Sequence, residues 1–112
     1  MPDLEAEDQK LVTLARSARA RNGAAEGAAV RDTDGRTYAA TTVELPSFRL
    51  TAVQGAVAAA LSSGAEGLEA AAVVTADVLV DEASVQAVRD VAKLAPIVRA
   101  EPSGEIAEVL QP

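Results

Sequence analysis

The chain has 112 residues, 17 of them acidic and 10 basic, which gives a net charge of −7. It contains no cysteine and no histidine, which excludes disulfides, thiol chemistry and zinc sites built from Cys or His. Because it shows no basic stripe, membrane-length apolar run or signal-peptide pattern, we expect a cytoplasmic protein that binds neither nucleic acid nor membrane.

The length predicts a single domain over residues 1–112. With one Tyr, one Phe and no Trp, its core has to consist of Ala, Val and Leu. Small side chains each bury little apolar area, at about 25 cal/mol per Å². We therefore expect stability to depend partly on a subunit interface, in a homodimer or homotetramer.

The first predicted helix spans Asp3 to Arg21, with acidic residues near its start and arginines near its end, as the helix dipole favours. Asp3 is the expected N-cap. Two strands, Glu26–Arg31 and Arg36–Leu45, are predicted next, and the Asp34-Gly35 pair between them is a strong hairpin signal. The expected buried stripe of this first helix contains Leu4, Leu11, Leu14, Ala15 and Ala18.

A central helix is predicted from Leu50 to Gly64. Gly64 is expected to end it by adopting a left-handed backbone conformation. Thr51 and Gln54 form a capping-box pattern, in which each side chain bonds to the other residue's amide. Phe48 and Leu50 are expected to fill the space beneath the start of the helix. Its apolar stripe is Val53, Ala56, Val57, Ala60 and Leu61, at helical period.

The second half of the chain predicts a buried strand at Ala70–Thr75, a helix at Ala83–Leu94 and a strand at Ile97–Ala100. Ala76–Val80 is either a loop or a short extended segment, and Glu105–Leu110 is either a last strand or a terminal segment. The order predicts a three-layer α/β fold, a mixed sheet of four to five strands with an N-terminal hairpin and helices on both faces. In the helix predicted at Ala83–Leu94 and just after it, the residues expected to face the core are Val85, Val88, Val91, Ala92 and Ala95.

This order and several local strings resemble the small zinc-dependent cytidine deaminase family over nearly the whole chain. Gly27–Val30 resembles the family's VGAA strand, Asp34-Gly35 its hairpin, and Thr42-Val43-Glu44 its strand ending in N-x-E. Leu50–Gly64 resembles the L-C-A-E-R-x-A helix, and Ser84–Ala100 is similar to the P-C-x-x-C-R-Q helix with its following strand. The resemblance implies a cytidine deaminase-like fold and a compact oligomer.

The family's chemistry uses a zinc ion held by three ligands and a glutamate that moves protons. The resemblance puts the first ligand position at Thr51, the proton-shuttle position at Val53 and the cysteine pair at Glu82 and Val85. Since none of these residues is Cys or His and Val53 is not a carboxylate, we interpret the chain as a deaminase-like protein with no zinc, no cofactor and no catalytic residues.

Nucleoside binding remains open at Thr42 and Glu44, because the resemblance implies that the N-x-E asparagine and glutamate hold the ribose hydroxyls. The alternative interpretation of Glu44 is a solvated or capping carboxylate just before Pro46.

Three functional hypotheses follow. The first is a catalytically inactive protein that acts by oligomerising or by binding a protein partner, with its alanine-rich helices packed across the subunit boundary. The second is a sensor that binds a nucleoside or nucleotide without reacting. The third is a carboxylate–metal hydrolase using oxygen ligands, although acids that precede a helix also suit its positive end. The candidate ligands of this third hypothesis are Glu44, Asp77, Asp81 and Glu82.

Overall fold

The computed structural model describes residues 5–112. Among these residues, no helix is both long and apolar enough to cross a membrane. The helices are α1 (Ala6–Asn22), α2 (Ala52–Ser62) and α3 (Glu82–Val91). The strands are β1 (Glu26–Asp32), β2 (Thr37–Thr41), β3 (Val43–Leu45), β4 (Phe48–Leu50), β5 (Leu68–Thr75), β6 (Ile97–Ala100) and β7 (Ile106–Leu110).

Five strands form a mixed sheet in the order β2-β1-β5-β6-β7. Only β5 and β6 are parallel, and α3 lies in the connection between them; the other neighbours are antiparallel. The strands β3 and β4 form a separate two-stranded hairpin. The predicted fold class is confirmed, and residues 106–110 form a strand.

The sheet separates two apolar layers, which makes the fold three-layered. On one face, α1 packs through Leu11 and Ala15 against alternate residues of β1, β5 and β6. On the other face, α2 and α3 pack through Ala56 and Val88 against the remaining residues of the same strands. Alanines at most contact points let these helices approach the sheet closely.

The first helix is turned slightly from the orientation that its sequence predicts. Leu14 is exposed, so its predicted burial is wrong, whereas Val12 is buried. Since Leu11 and Ala15 point at the sheet, Val12 and Leu14 lie at opposite edges of the buried face, and the sheet covers only the Val12 side. The predicted cap Asp3 and the predicted core residue Leu4 lie outside the described residues.

The segment Arg36–Leu45 is not one strand, as predicted, because the chain leaves the sheet after Thr41. There the β3–β4 hairpin begins, with Leu45 paired to Phe48 across its two-residue turn. Phe48 is exposed instead of filling the space beneath α2, while Leu50 is half-buried. The turn between β1 and β2 agrees with its Asp-Gly signal, and Gly35 has a φ of 86° there.

The central helix begins as its sequence predicts, with both hydrogen bonds of the Thr51–Gln54 capping box present. Gly64 adopts a left-handed φ of 95° just beyond the helix end. Leu61 is exposed, however, so its predicted burial is wrong. The remainder of the predicted stripe is buried: Val53, Ala56, Val57 and Ala60.

The third helix is shorter than predicted and ends at Val91. The Arg89 guanidinium donates to the carbonyls of Ala92 and Ala95, which satisfies backbone groups just after the helix. Residues 76–79, before α3, form bends without strand pairing in the described chain.

Candidate functional site

The starts of α2 and α3 meet at one end of the domain, and each start is capped by its own side chain. Thr51 Oγ1 accepts from the Gln54 amide at 3.1 Å, and Asp81 Oδ1 accepts from the Ala83 amide at 2.8 Å. Both caps follow from the preference of Thr and Asp for the position before a helix, where their oxygens satisfy free amides.

A hydroxyl pair joins the two helix starts directly. Ser84 Oγ, in the first turn of α3, donates to Thr51 Oγ1 over 2.8 Å. Ser84 is almost completely buried, at 1% exposure, and Thr51 is half-buried, so this hydrogen bond is partly shielded from solvent. Its burial matters because an unpaired hydroxyl there would be costly.

Beside this pair is an open cleft of about 320 Å³ between β1, the β3–β4 hairpin, the start of α2 and the segment before α3. The predicted ligand residues Thr42 and Glu44 both line it, together with Thr51. The full lining is Ala25, Glu26, Thr42, Val43, Glu44, Arg49, Leu50, Thr51, Gln54, Asp77 and Asp81.

Acidic side chains dominate the electrostatics of the cleft, with Arg49 as the single basic residue in its lining. Burial raises the pKa of Glu26 above its ordinary value; a hydrogen bond with Thr75 opposes the rise, and repulsion from Asp77 and Asp81 adds to it. The cleft therefore disfavours anionic ligands.

The predicted ligand residues Thr42 and Glu44 differ in their hydrogen bonding and exposure. The Thr42 hydroxyl accepts from the Glu26 amide at 3.1 Å, which leaves its own proton available for a ligand. Glu44 is exposed on β3. Both therefore present polar groups at the cleft.

The four positions that the resemblance associates with zinc chemistry differ in their burial. Thr51 lines the cleft, Val53 is fully buried in the apolar core, Val85 is half-buried and Glu82 is exposed. The residue of α3 that contacts Thr51 is Ser84, which the sequence analysis passed over as a zinc position. The only sequence signal for Ser84 is its position one residue before Val85. Placing a family's ligand positions on this chain by spacing is uncertain by at least one residue.

The family's zinc ion does not fit the groups at the joined helix starts. Two oxygens bound to one tetrahedral zinc would lie about 3.4 Å apart, from metal–oxygen distances of about 2.1 Å. Thr51 Oγ1 and Ser84 Oγ are 2.8 Å apart and bond to each other instead. Both are neutral hydroxyls, whereas zinc sites draw on thiolates and imidazoles, which this chain lacks.

The carboxylates of the third hypothesis are only partly brought together. Asp77 and Asp81 line the cleft with Glu44, while Glu82 does not. Within residues 5–112, no three acidic side chains are grouped closely enough to hold a metal ion.

The protein has a mixed five-stranded sheet with one helix on one face and two helices on the other, and a cleft lies at the starts of those two helices. This arrangement defines a cytidine deaminase-like α/β protein. The sequence model of the family described as cytidine deaminase-like matches residues 4–104. The chain belongs to this family. Among curated protein sequences, none matches it.

Solved cytidine deaminases have the same fold at low sequence identity. The enzyme from Burkholderia pseudomallei is 23% identical with a TM-score of 0.80, and the match covers 91% of this chain and 90% of that one. The enzyme from Mycobacterium leprae is 23% identical with a TM-score of 0.74, covering 96% and 94%. That from Mycobacterium tuberculosis is 23% identical with a TM-score of 0.71, covering 93% and 91%.

Proposed function

We propose that this chain is a deaminase-like protein without zinc-dependent deamination, which acts by association with a second copy of itself. The observation that carries the first half is the hydrogen bond between Thr51 and Ser84, which links the two helix starts through neutral hydroxyls. Val53, buried among apolar residues at the proton-shuttle position of the resemblance, has no group that moves a proton.

The test of this first half is direct. Purified protein is assayed for conversion of cytidine to uridine and for bound metal, with and without added Zn²⁺. We expect no conversion, substoichiometric zinc and an unchanged melting temperature. Stoichiometric zinc or measurable turnover would overturn the proposal.

Exposed apolar side chains beside the cleft support association. Leu45 and Phe48, paired across the β3–β4 hairpin, are 54% and 53% exposed. Val78 and Leu79, between two residues that line the cleft, are 78% and 70% exposed. Exposed apolar residues that are neighbours, as they are within each of these two pairs, are typical of interaction surfaces.

The alanine stripe of α2 is not such a surface. Ala56 and Ala60 are fully buried against the sheet of their own chain. The expectation that these alanines pack across a subunit boundary is therefore wrong, and any interface uses other residues.

Light scattering tests association. We expect the protein to run above its monomer mass of 11.4 kDa at micromolar concentration, and the double variant Leu45→Ser with Phe48→Ser to lower that mass. The control is Leu94→Ser, which changes an even more exposed leucine, after α3. A wild-type protein that stays at the monomer mass would overturn this half of the proposal.

Non-reactive nucleoside binding is a second candidate function, favoured by the presence of Thr42, Glu44 and Thr51 in one cleft. Thermal shift with cytidine, deoxycytidine, uridine and their monophosphates tests it. A ligand at a hundred times its dissociation constant stabilises by about 2.7 kcal/mol. Because the charged residues of the lining are mostly acidic, nucleosides should bind more tightly than their phosphates.

The variant Glu44→Gln separates specific binding from general stabilisation. It keeps the size of an exposed side chain and removes the charge, so it should weaken nucleoside binding without changing the melting of the free protein. No shift with any ligand at millimolar concentration would exclude this second function.

A further inference from the structure

The strand β2 (Thr37–Thr41) ends the sheet, and its outer edge has no strand partner among residues 5–112. Such an edge presents backbone amides and carbonyls that are ready to pair with another strand. Monomeric proteins commonly protect edges with charged residues or proline. The five residues of β2, TYAAT, include neither.

The opposite edge of the same sheet is protected. Strand β7 carries Glu108 in its middle, bound to Arg99 by an ion pair of 2.9 Å. The contrast with β2 is informative because the protein as a whole carries a net charge of −7 and its surface repels a second copy. The residues of the β2 edge carry no charge, so pairing along that edge would set no like charges of the two strands opposite each other.

We propose that two copies of this chain pair antiparallel through their β2 strands, which makes a continuous ten-stranded sheet. Pairing about Ala39 sets Ala39 opposite Ala39 of the second copy, Tyr38 opposite Ala40, and Thr37 opposite Thr41. Threonine pairs are favourable cross-strand combinations. This inference rests on the proposed association and adds a second surface, separate from the exposed apolar residues Leu45 and Phe48 of the β3–β4 hairpin.

The ends of the interface bring no like charges together either. Arg36 directly precedes β2, and the same register sets it opposite Thr42 of the second copy.

The helix α1 supplies the rest of the contact area. Five paired residues alone bury less than the roughly 1,200 Å² that a stable interface needs. Ala39 pairs with Ala29, and the side chain of Ala29 lies on the face of the sheet that α1 covers. A two-fold axis perpendicular to the sheet therefore places α1 of both copies on this same face. A groove of about 640 Å³ between α1 and the start of β2, bordered by the exposed Leu14 and by Thr37, faces that neighbour.

Charge substitution at Ala39 tests the pairing. Ala39 is exposed, and the two-fold axis sets it opposite itself, so Ala39→Lys and Ala39→Glu each place like charges together. We expect each variant alone to raise the dimer dissociation constant at least about tenfold. Mixing the two should restore a dimer that contains one copy of each.

The control is Ala107→Lys, the same change at an exposed alanine of the other edge strand, β7, which should dimerise like the wild type. If Ala107→Lys is as monomeric as Ala39→Lys, or if the Lys and Glu variants do not restore each other, the β2 pairing is overturned. Circular dichroism of each variant reports that it is folded.

A measurement on the wild type avoids variants altogether. Amides of residues 37–41 should exchange hydrogen more slowly at high protein concentration than at low, and concentration-independent exchange would overturn the inference. A wild type that assembles while Ala39→Lys assembles equally well overturns the β2 pairing and leaves the association proposal intact. A wild type that is monomeric at all concentrations overturns both.

Discussion

Asp32 is a buried carboxylate that organises the turn between β1 and β2. Its Oδ1 accepts from the amides of Asp34 and Arg36, both at 2.9 Å, and its Oδ2 accepts from the Tyr38 hydroxyl at 2.9 Å. Burial by itself would raise the pKa of Asp32, but these hydrogen bonds and the Arg36 charge together lower it below its ordinary value. The ionised form is therefore the one that the fold stabilises.

The variant Asp32→Asn should lower the free energy of unfolding at pH 7. Because the pKa of Asp32 is lower in the folded than in the unfolded chain, its contribution is fully present above the ordinary carboxyl pKa of about 3.9 and is lost as the pH falls through the folded value. The difference between wild type and variant should thus shrink below about pH 4. Urea denaturation at pH 7, 5 and 3 measures it.

The matched control is Asp34→Asn, which changes an exposed carboxylate in the same turn and keeps a residue suited to precede glycine there. It should leave the stability nearly unchanged at each pH. An Asp32→Asn effect of the same size at pH 3 as at pH 7 would show that the carboxylate charge does not contribute.

At the scale of elements, α2 and α3 are linked at their starts by one partly buried hydrogen bond and otherwise by apolar packing. The link joins Thr51, which also caps α2, to Ser84. The two side chains therefore act as one unit, and removing either affects the other.

The variant Ser84→Ala should cost about 0.5–1.5 kcal/mol of stability, the usual value of one lost hydrogen bond. Thr51→Ala should cost about 1 kcal/mol or more, because the cap is lost as well. The double variant should cost less than the sum, since the shared bond is lost only once. Urea denaturation of the four proteins measures the coupling. Ser63→Ala, at the exposed end of α2, is the neutral control, and strictly additive losses would contradict the link.

The packing of α2 on the sheet is tested by a pair of alanines in the same helix. Ala60 is fully buried and Ala58 is exposed. Ala60→Leu should destabilise the subunit by about 1–3 kcal/mol through overpacking, whereas Ala58→Leu should be nearly neutral. Thermal melting compares them. Equal melting of both variants would mean that α2 does not lie against the sheet as described.

At the scale of the whole molecule, association has to overcome the repulsion between two chains of net charge −7. Salt screens this repulsion, since the Debye length falls from about 30 Å at 0.01 M to about 10 Å at 0.1 M. The wild-type dissociation constant should therefore decrease as NaCl increases over this range, as sedimentation measures. The mixed dimer of Ala39→Lys and Ala39→Glu should gain less from salt, because its new contact attracts. Weaker wild-type association at high salt would indicate an interface held by ion pairs.

Local patterns in the sequence determined much of this protein. The Thr51–Gln54 capping box, the Asp34-Gly35 turn and the buried run of β5 depend on neighbouring residues, so they were predictable without the rest of the chain. Thr42 and Glu44 both line the cleft, and ligand binding by them stays a prediction from the resemblance of that strand to the N-x-E string.

Only the tertiary structure decided which candidates meet. Leu14 and Leu61 fit a helical stripe, yet both are exposed, because burial depends on how far the sheet extends beneath each helix. Ser84 contacts Thr51 from 33 residues away, a relation that no local spacing contains. The end of β2 at Thr41 likewise depends on the separate hairpin that follows it. Residue types and short-range spacing thus establish the elements, whereas contacts between distant segments establish the site and the open edge, since both exist only once the layers are packed.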